Sequence, residues 1–534
     1  MMNFWTRTRP RPISLDLSRE AERNRVLRRA DWRFLLPDLW PARSICYANG
    51  LLAQAVESIS DRMADARQTP VGECDLAVAI DPDSATLRAI GSALRPGGSC
   101  YIEWYSPLAG GSNRIRRRLR ALGFEDVTCY WAWPWPSRAA AQFWLPLDAP
   151  GAVDDFLRYR APAQGIARKA GFAVRRSLWL LGARMSLLVP VCVVARKPAK
   201  SASANADLLA LIRTRWADWG FGPTPGPLCW LLLTGGRRSI NKVVGVVSAG
   251  RGGSPQLVVK MPRVPEAVPA LKQEAAILQV LEAQHIHLRG VPRVLFCRGQ
   301  DSHFVVGETA LTGVPLYSRL SRGTYRALAL KATDWLIDLA GRPDSSSRAT
   351  WWDRLVDAVF VDFRDLFGAV VDGDMLKATG DLLATLGDLP SVCEQRDFSP
   401  WNVLIDANGE LVVHDWESAE LHGLPAMDLI YFLTNLGFCL NGAMESDRFR
   451  ESYRDMLNPS TFTGAVFAEC TARYAAQVGF DLAAVKPLRL LAWMLHACSV
   501  YPQFAADAGG QPQPDVLRRS LFVGVWEEEA RYAG

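Results

Sequence analysis

Asp397, Asn402, Asp415 and Glu417 are the residues whose types and spacing in this chain could do chemistry together. They sit in two short stretches, Gln395-Arg-Asp-Phe-Ser-Pro-Trp-Asn402 and His414-Asp-Trp-Glu417. Between these lies Val403-Leu-Ile-Asp-Ala-Asn-Gly-Glu-Leu-Val-Val413, two β-prone runs on either side of Asn408-Gly409. Asn-Gly between apolar runs predicts a hairpin, because both residues tolerate the positive φ of a type I′ turn. With those two residues as the turn, Ala407 faces Glu410, Ile405 faces Val412, Leu404 faces Val413 and Asn402 faces Asp415. Directly opposed residues have Cβ atoms about 4.5–5.5 Å apart and point to one face. An amide oxygen and a carboxylate so placed suit a hard cation such as Mg²⁺. Asp397, just upstream on the loop, is then expected as a base beside that metal, with His414 turned away from it by alternation.

A site of this kind needs elements that present a phosphate-bearing ligand, and the upstream sequence supplies candidates. Leu228-Cys-Trp-Leu-Leu-Leu233, Val243-Val-Gly-Val-Val247 and Gln256-Leu-Val-Val-Lys-Met261 read as three short antiparallel strands of a small nucleotide-binding lobe. The turn at Gly235 and Gly236 would let backbone approach phosphate, and Lys260 would meet the α- and β-phosphates of ATP. The helix expected over Ala270 to Ala283 puts Leu271, Glu274, Ala275 and Leu278 on one face. An acid on a core-facing side needs a partner, and Lys260 is the expected partner of Glu274. The strand His303 to Val306 runs into Gly307 to Pro315, a hinge whose backbone around Glu308 and Ala310 would bond adenine. From Tyr325 onward the pattern is helical, through Leu389 and again from Ala426 to Arg531. Taken singly, a glycine turn is usually only a turn and a strand lysine usually faces solvent. The order of these features before Asp397 favours the sharper reading.

Over residues 205 to 530 the chain resembles the aminoglycoside phosphotransferase and choline kinase group, which has a protein-kinase-like fold. The resemblance rests on Asp397, Asn402, Asp415 and Glu417 and on Gly423-Leu-Pro-Ala-Met-Asp428-Leu downstream. It implies an α+β bilobal domain that moves the γ-phosphate of ATP to the hydroxyl of a small molecule. Sugars, aminoglycoside-like compounds and amino alcohols are the implied acceptors. It also implies roles: Asp397 as the base, Asn402 and Asp415 on Mg²⁺, and Glu417 helping a second ion. Asp428 is expected to brace the loop or cap the following helix. Gln395 stands where that group usually has His, and Arg396 where glycine is common; Gln can still hydrogen-bond backbone. A non-catalytic nucleotide-binding pseudokinase scaffold is the alternative. Glu445, Asp447 and Glu451 are acids that could attract an amine, although such residues are more often solvated.

The first part of the chain reads differently. Ser44-Ile-Cys-Tyr47 and Asp75-Leu-Ala-Val-Ala-Ile80 look like strands, followed by a helix from Ser84 to Leu94, an Arg95-Pro-Gly-Gly98 turn and a strand Ser99 to Trp104. Strand, helix and strand in that order predict a parallel α/β unit. With Leu122-Gly-Phe-Glu125 and Val191 to Pro198, these segments resemble the latter half of a class I S-adenosylmethionine-dependent methyltransferase, a Rossmann-like α/β domain. The place of that family's glycine-rich turn reads Cys46-Tyr-Ala-Asn-Gly50, with one glycine. Ile45 and Leu76 are also too close in sequence for two intervening βα units, since one such unit takes about 30 residues. A shortened domain at 1–198 is expected, with S-adenosylmethionine not bound; a bifunctional enzyme with a live methyltransferase is the alternative. The linker is expected at 199–206 and the kinase-like domain at 207–534, with its N-lobe at 207–306, hinge at 307–315 and C-lobe at 316–534.

Composition agrees with a multidomain protein in the cytoplasm. At 534 residues the chain exceeds one ordinary core. The formal charge of +6 is too mild for a nucleic-acid partner to be expected. The 11 Cys show no C-x-x-C pairing and read as free thiols. The stretch Ser177 to Ala195 is broken by Arg184 and Pro190, which argues against a membrane span. Arg168, Lys169, Arg175 and Arg176 interleave with Phe172, Val174 and Trp179 as in a basic amphipathic helix. Its plain reading is a solvated basic face, and its sharper one a peripheral contact with anionic lipid. Arg114 to Arg120 is a charge run whose plain reading is a solvated helix face and whose sharper one is a phosphate or lipid contact, and Trp131-Ala-Trp-Pro-Trp-Pro136 is an aromatic loop, plainly a packed connector and more sharply an interfacial anchor or sugar-stacking surface. The sequence carries no signal for an oligomeric state.

Overall fold

The structure, a computed structural model, describes residues 19–531 except 69–70, 106–110, 160–165, 185–189, 200–207, 224–225, 237, 251–252, 285–287, 300–303, 342, 344 and 445–447. The linker expected at 199–206 therefore lies almost wholly outside the described residues, as do Glu445 and Asp447. The chain divides into two compact units, one of residues 1–271 and 295–310 and one of residues 272–294 and 311–534.

Twelve strands form the sheet of the first unit: β1 (Arg43–Cys46), β2 (Arg62–Ala64), β3 (Cys74–Ile80), β4 (Leu94–Trp104), β5 (Glu125–Trp133), β6 (Phe143–Pro146), β7 (Val191–Arg196), β8 (Leu228–Leu233), β9 (Val243–Ala249), β10 (Pro255–Met261), β11 (Val294–Arg298) and β12 (Val305–Thr309). Their order across the sheet is β11-β12-β10-β9-β8-β6-β5-β7-β4-β3-β1-β2. Pairing is parallel for β2 on β1, β1 on β3 and β3 on β4. It is antiparallel for β4 on β7, β7 on β5 and β5 on β6, and again for β8, β9, β10 and β12 in succession. The central β3 is buried along nearly its whole length, as a parallel strand covered on both faces must be. In β9, by contrast, buried and part-buried residues alternate along most of the strand.

Two features depart from the sequence reading. Arg95 to Gly98 do not form a separate turn but open β4, where the Gly97 amide donates to Lys197 O and the Lys197 amide to Gly98 O. The backbone partners after β7 turn what composition reads as a breaker into strand. The sheet also does not stop at the expected linker: Phe143 and Trp144 of β6 pair with Leu233 and Leu232 of β8. Trp32, Tyr101, Trp144 and Trp230 share one core across that junction, with Trp32 stacked on Tyr101 at 4.2 Å between centroids. Aromatic stacks of this sort add about 0.5–1.5 kcal/mol beyond the area they bury.

The second unit is mostly helical. Its main helices are Tyr325–Ala340, Ala358–Phe367, Gly373–Ala384, Met427–Asn441, Phe449–Leu457, Phe462–Val478, Val485–Ala508 and Leu521–Arg531. A small sheet of Val314–Pro315, Val403–Ile405 and Leu411–Val413 sits among them, beside a two-stranded ladder of Val392–Glu394 on Glu420–Gly423. Phe398 is fully buried and packs between Trp335 at 5.3 Å and Phe432 at 5.1 Å. Burying that ring contributes about 1.5–3 kcal/mol and pins the loop on which Asp397 rides. Among the described residues no helix is long and apolar enough to cross a membrane. The basic stretch expected as a helix lies in Ile166–Arg184, where Arg176 is bound to Asp154 and Val174, Leu178 and Leu181 are exposed.

Candidate active site

The hairpin forms, but one residue out of the expected register. Val403 pairs with Val413, Leu404 with Val412 and Ile405 with Leu411. The Asp406 amide bonds to Glu410 O, so the loop is Ala407-Asn408-Gly409, three residues with Gly409 at φ 83°. That is the three-residue hairpin that ends in a left-handed residue. Its cause is Asp406, whose Oδ1 accepts the amides of both Asn408 and Glu410 at 2.8 Å and so stabilises the longer turn. A one-residue slip sends every side chain to the other face. Asn402 consequently stands across from His414, whose amide bonds to Asn402 O, and the expected Asn402–Asp415 pairing is corrected.

Two clusters of site residues form instead. In the first, Asn402 Nδ2 donates to Asp397 Oδ2 at 2.7 Å and to Asp397 O at 3.0 Å. The amide holds the carboxylate in one orientation, so Asn402 positions the expected base. In the second, the carboxylates of Glu274, Asp415 and Glu417 converge, with a ligand atom from each within 4.8 Å of the others. Asp415 has φ 70°, so it does not continue the strand toward Glu417 as an extended residue would. Glu274 is fully buried and accepts the Trp416 amide at 2.9 Å, which fixes it against the segment carrying the other two. Three carboxylates are hard oxygen donors that fit Mg²⁺.

Gln395 ties the two clusters together. Its Nε2 donates to Asp415 O at 2.6 Å and His414 O at 3.2 Å, while its Oε1 accepts the Asp397 amide at 2.8 Å. The expectation that Gln would bond backbone is met by three bonds. Asp428 braces the same loop from the other side, accepting the Gln395 amide at 2.5 Å and the Arg396 amide at 2.8 Å. The second of these bonds holds Arg396 at φ 64°, a conformation in which glycine would be free of strain.

The expected nucleotide-side residues are placed less as foreseen. Lys260 pairs with Glu308 at 2.9 Å, both nearly buried. In the β10–β12 ladder Lys260 faces Val306 and Val258 faces Glu308, so the two are diagonal neighbours on one face. Lys260 belongs to the first unit and Glu274 to the second, and a pair between them stays an expectation. The Ala310 amide is taken by Gln256 O, which removes it as a donor to adenine. Gly235 and Gly236 lie in the turn after β8; Gly236 has φ 96°, and a Cβ there would come 2.6 Å from the Asn241 side chain.

Residues 237–459 match the model of the phosphotransferase enzyme family. This part of the chain is a phosphotransferase enzyme domain. The match takes in both carboxylate clusters and Gln395, and it begins just after Gly236. Solved aminoglycoside phosphotransferases are similar at low identity. The ADP-bound structure of APH(2'')-Ib shares 14% identity and covers 60% of this chain and 98% of its own, with a TM-score of 0.36. APH(3'')-Id from Streptomyces rimosus shares 18% and covers 52% and 97%, with a TM-score of 0.31. A thermostable mutant of APH(4)-Ia shares 16% and covers 58% and 97%, with a TM-score of 0.34. Scores of this size add no argument to the family match. None of the curated proteins compared matches the chain.

Charge in the phosphotransferase domain's loop is unusually confined. Burial, together with the neighbouring Glu394, pushes the Asp428 carboxyl up to about 7, against the two amide bonds that favour its ionised form. Glu394 is itself raised by burial and is bound by Arg396 at 3.0 Å and by the Leu424 amide at 2.5 Å. His496 stacks on Tyr431 at 3.8 Å, and burial, aided by the charge of Arg396, depresses its imidazole to about 3. The folded protein therefore keeps His496 neutral where an unfolded chain, with a value near 6.5, takes up a proton. Stability from this group is complete above pH 6.5 and is lost as pH falls toward 3, at about 1.4 kcal/mol per unit. We expect wild type to lose about 2 kcal/mol from this source between pH 6.5 and 5, and His496→Phe, which keeps the ring stack, to lose none of it. Urea titrations of both proteins at the two pH values check this; equal losses would contradict it.

Sequence reasoning missed three contributors. Asp406 could have been noticed from Asp-Ala-Asn-Gly, since an Asp ahead of the turn competes for its amides. Glu308 was assigned to adenine through its backbone, while its side chain serves Lys260. The third is Arg263, whose guanidinium bonds Thr234 O and Gly235 O of the glycine turn from a segment too far along the chain to associate by pattern.

Proposed function

We propose that the chain transfers the γ-phosphate of ATP to the hydroxyl of a small molecule, with Asp397 as the base. The observation that carries this is the loop inside the phosphotransferase-family match, where Asn402 orients the Asp397 carboxylate at 2.7 Å. Asp397 takes the acceptor's proton as its oxygen bonds to phosphorus, and the bond from the γ-phosphorus to the bridging oxygen breaks to release ADP. Gln395 and Asp428 keep the Asp397 backbone from shifting during that step. Lys260 would offset phosphate charge, held in place by Glu308. Asn402 through its Oδ1, Asp415 and Glu417, with Glu274 beside the two acids, would hold Mg²⁺, which when bound neutralises charge on the β- and γ-phosphates. Phosphoryl transfer asks mainly for such positioning and charge compensation.

Several solved neighbours are complexes with ADP, gentamicin, streptomycin or hygromycin B, and these compounds belong to those proteins. For this chain an alcohol of the sugar, aminoglycoside or amino-alcohol kind is the class proposed. The front part is read as a shortened methyltransferase-type domain without S-adenosylmethionine turnover, supported by its parallel β2-β1-β3-β4 run followed by the antiparallel β7. Metal removal tests the main reading: chelation should abolish ATP-dependent phosphorylation, and added Mg²⁺ should restore it. Transfer that persists in excess chelator would contradict it.

A further inference from the structure

The glycine turn after β8 is underpinned by residues from the start of the described chain. Arg263 is fully buried and grips Asp31 through two bonds, Nε to Oδ1 at 2.9 Å and Nη2 to Oδ2 at 3.1 Å. The same guanidinium donates to three turn carbonyls: Thr234 O at 3.1 Å, Gly235 O at 3.3 Å and Arg238 O at 3.2 Å. Arg33, also buried, donates to Arg263 O at 2.6 Å. Farther along the turn, Ser239 gives both its amide and its hydroxyl to Glu20, at 2.5 and 2.9 Å. Glu20 opens the helix Glu20–Arg29, and Asp31 and Arg33 lie in the short helical turn Asp31–Leu35 that follows.

What this arrangement leaves over is suited to an anion. Three carbonyls of the turn are consumed by one cation, and the Thr234 amide is taken by Gln142 O. The Arg238 amide goes to Asn241 Oδ1 at 2.8 Å, the side chain that a Cβ on Gly236 would strike. No backbone carbonyl among the described residues accepts the amides of Gly235 and Gly236. Successive backbone amides turned to one side are a common phosphate cradle. Arg28 and Arg33 lie near enough to Asp31 and Arg263 for their charges to act on one another, so three arginines stand around one aspartate behind the turn.

We propose that the segment Glu20–Leu35 is a positioning element for nucleotide binding: Glu20 through Ser239, and Asp31 through Arg263, fix Thr234, Gly235, Arg238 and Ser239 so that the glycine amides can receive the nucleotide's phosphates. This rests on the phosphotransferase reading only in naming the ligand as a nucleotide diphosphate. The segment precedes the family match, so a chain trimmed to that match would lack its own turn support.

Glu20 is only part-buried, so Glu20→Ala removes two bonds without leaving a buried charge, unlike Asp31→Asn, which strands Arg263. In the full chain without ligand, Glu20→Ala should speed amide hydrogen exchange across 234–241 while the melting temperature stays unchanged. Its Kd for Mg-ADP by calorimetry should rise about tenfold, the size of one charged hydrogen bond. Glu20→Gln, which can still accept the Ser239 amide, should recover most of that affinity. Unchanged exchange, or faster exchange with unchanged Kd, overturns the proposal, and so does wild type that fails to bind Mg-ADP. Wild type that binds Mg-ADP and loses affinity on Glu20→Ala, yet phosphorylates no alcohol, would uphold the positioning role and remove the transfer reading.

Discussion

Asp397→Asn should lower phosphoryl transfer by about 10³-fold, within the range of general-base catalysis, while nucleotide affinity and melting temperature stay near wild type. The substitution is nearly isosteric and leaves the Gln395 Oε1 bond to the residue 397 amide and the burial of Phe398 intact. What it removes is the acceptor for a proton and the charge that Asn402 Nδ2 orients at 2.7 Å. Two amides facing one another can re-pair, so the loop should survive. Single-turnover kinetics with saturating Mg-ATP separate this loss from binding, and a drop confined to KM would contradict the assignment of a base.

Asp428→Asn should be the most damaging change away from the reacting atoms. Both carboxylate oxygens of Asp428 accept backbone amides, those of Gln395 and Arg396. An asparagine offers one acceptor and presents its NH₂ to the other amide, which leaves a buried donor facing a donor. An unsatisfied buried group costs about 1–3 kcal/mol, and Asp428→Ala, which orphans both amides, about twice that. The larger effect is on geometry: with Gln395 displaced, its bonds to Asp415 O and to the Asp397 amide go together. A misplacement of about 1 Å costs on the order of 10²-fold in rate. We expect Asp428→Asn to lose about 2 kcal/mol by chemical denaturation and about 10² in kcat. Loss of stability with full kcat would show that Asp428 supports the fold and not the loop.

The sequence made the site residues visible but not the route by which they meet. Asp397 and Asn402 come together within one loop, so their spacing was sufficient. Asp415 was placed opposite Asn402 by assuming a two-residue turn, and the side chain of Asp406 made it three. The acidic cluster nevertheless forms, because Asp415 leaves the strand with positive φ and Glu274 reaches in from its helix. The ion pair of Lys260 with Glu308 depends on their diagonal position on adjacent strands, a matter of register that local pattern does not encode. The strands at 228–233, 243–249 and 255–261 were legible from their apolar runs. The pairing of β6 with β8 was not, since edge-to-edge contact between distant strands leaves no mark in composition.

The account is tested most directly by incubating wild type and Asp397→Asn with Mg-ATP and a panel of sugars, aminoglycosides and amino alcohols, then weighing each acceptor by mass spectrometry. Wild type should add a single phosphoryl group to at least one of these alcohols, with ADP formed in equal amount, and Asp397→Asn should add none in the same time. Wild type that binds Mg-ADP but modifies no alcohol, or Asp397→Asn that phosphorylates at the wild-type rate, would contradict the account.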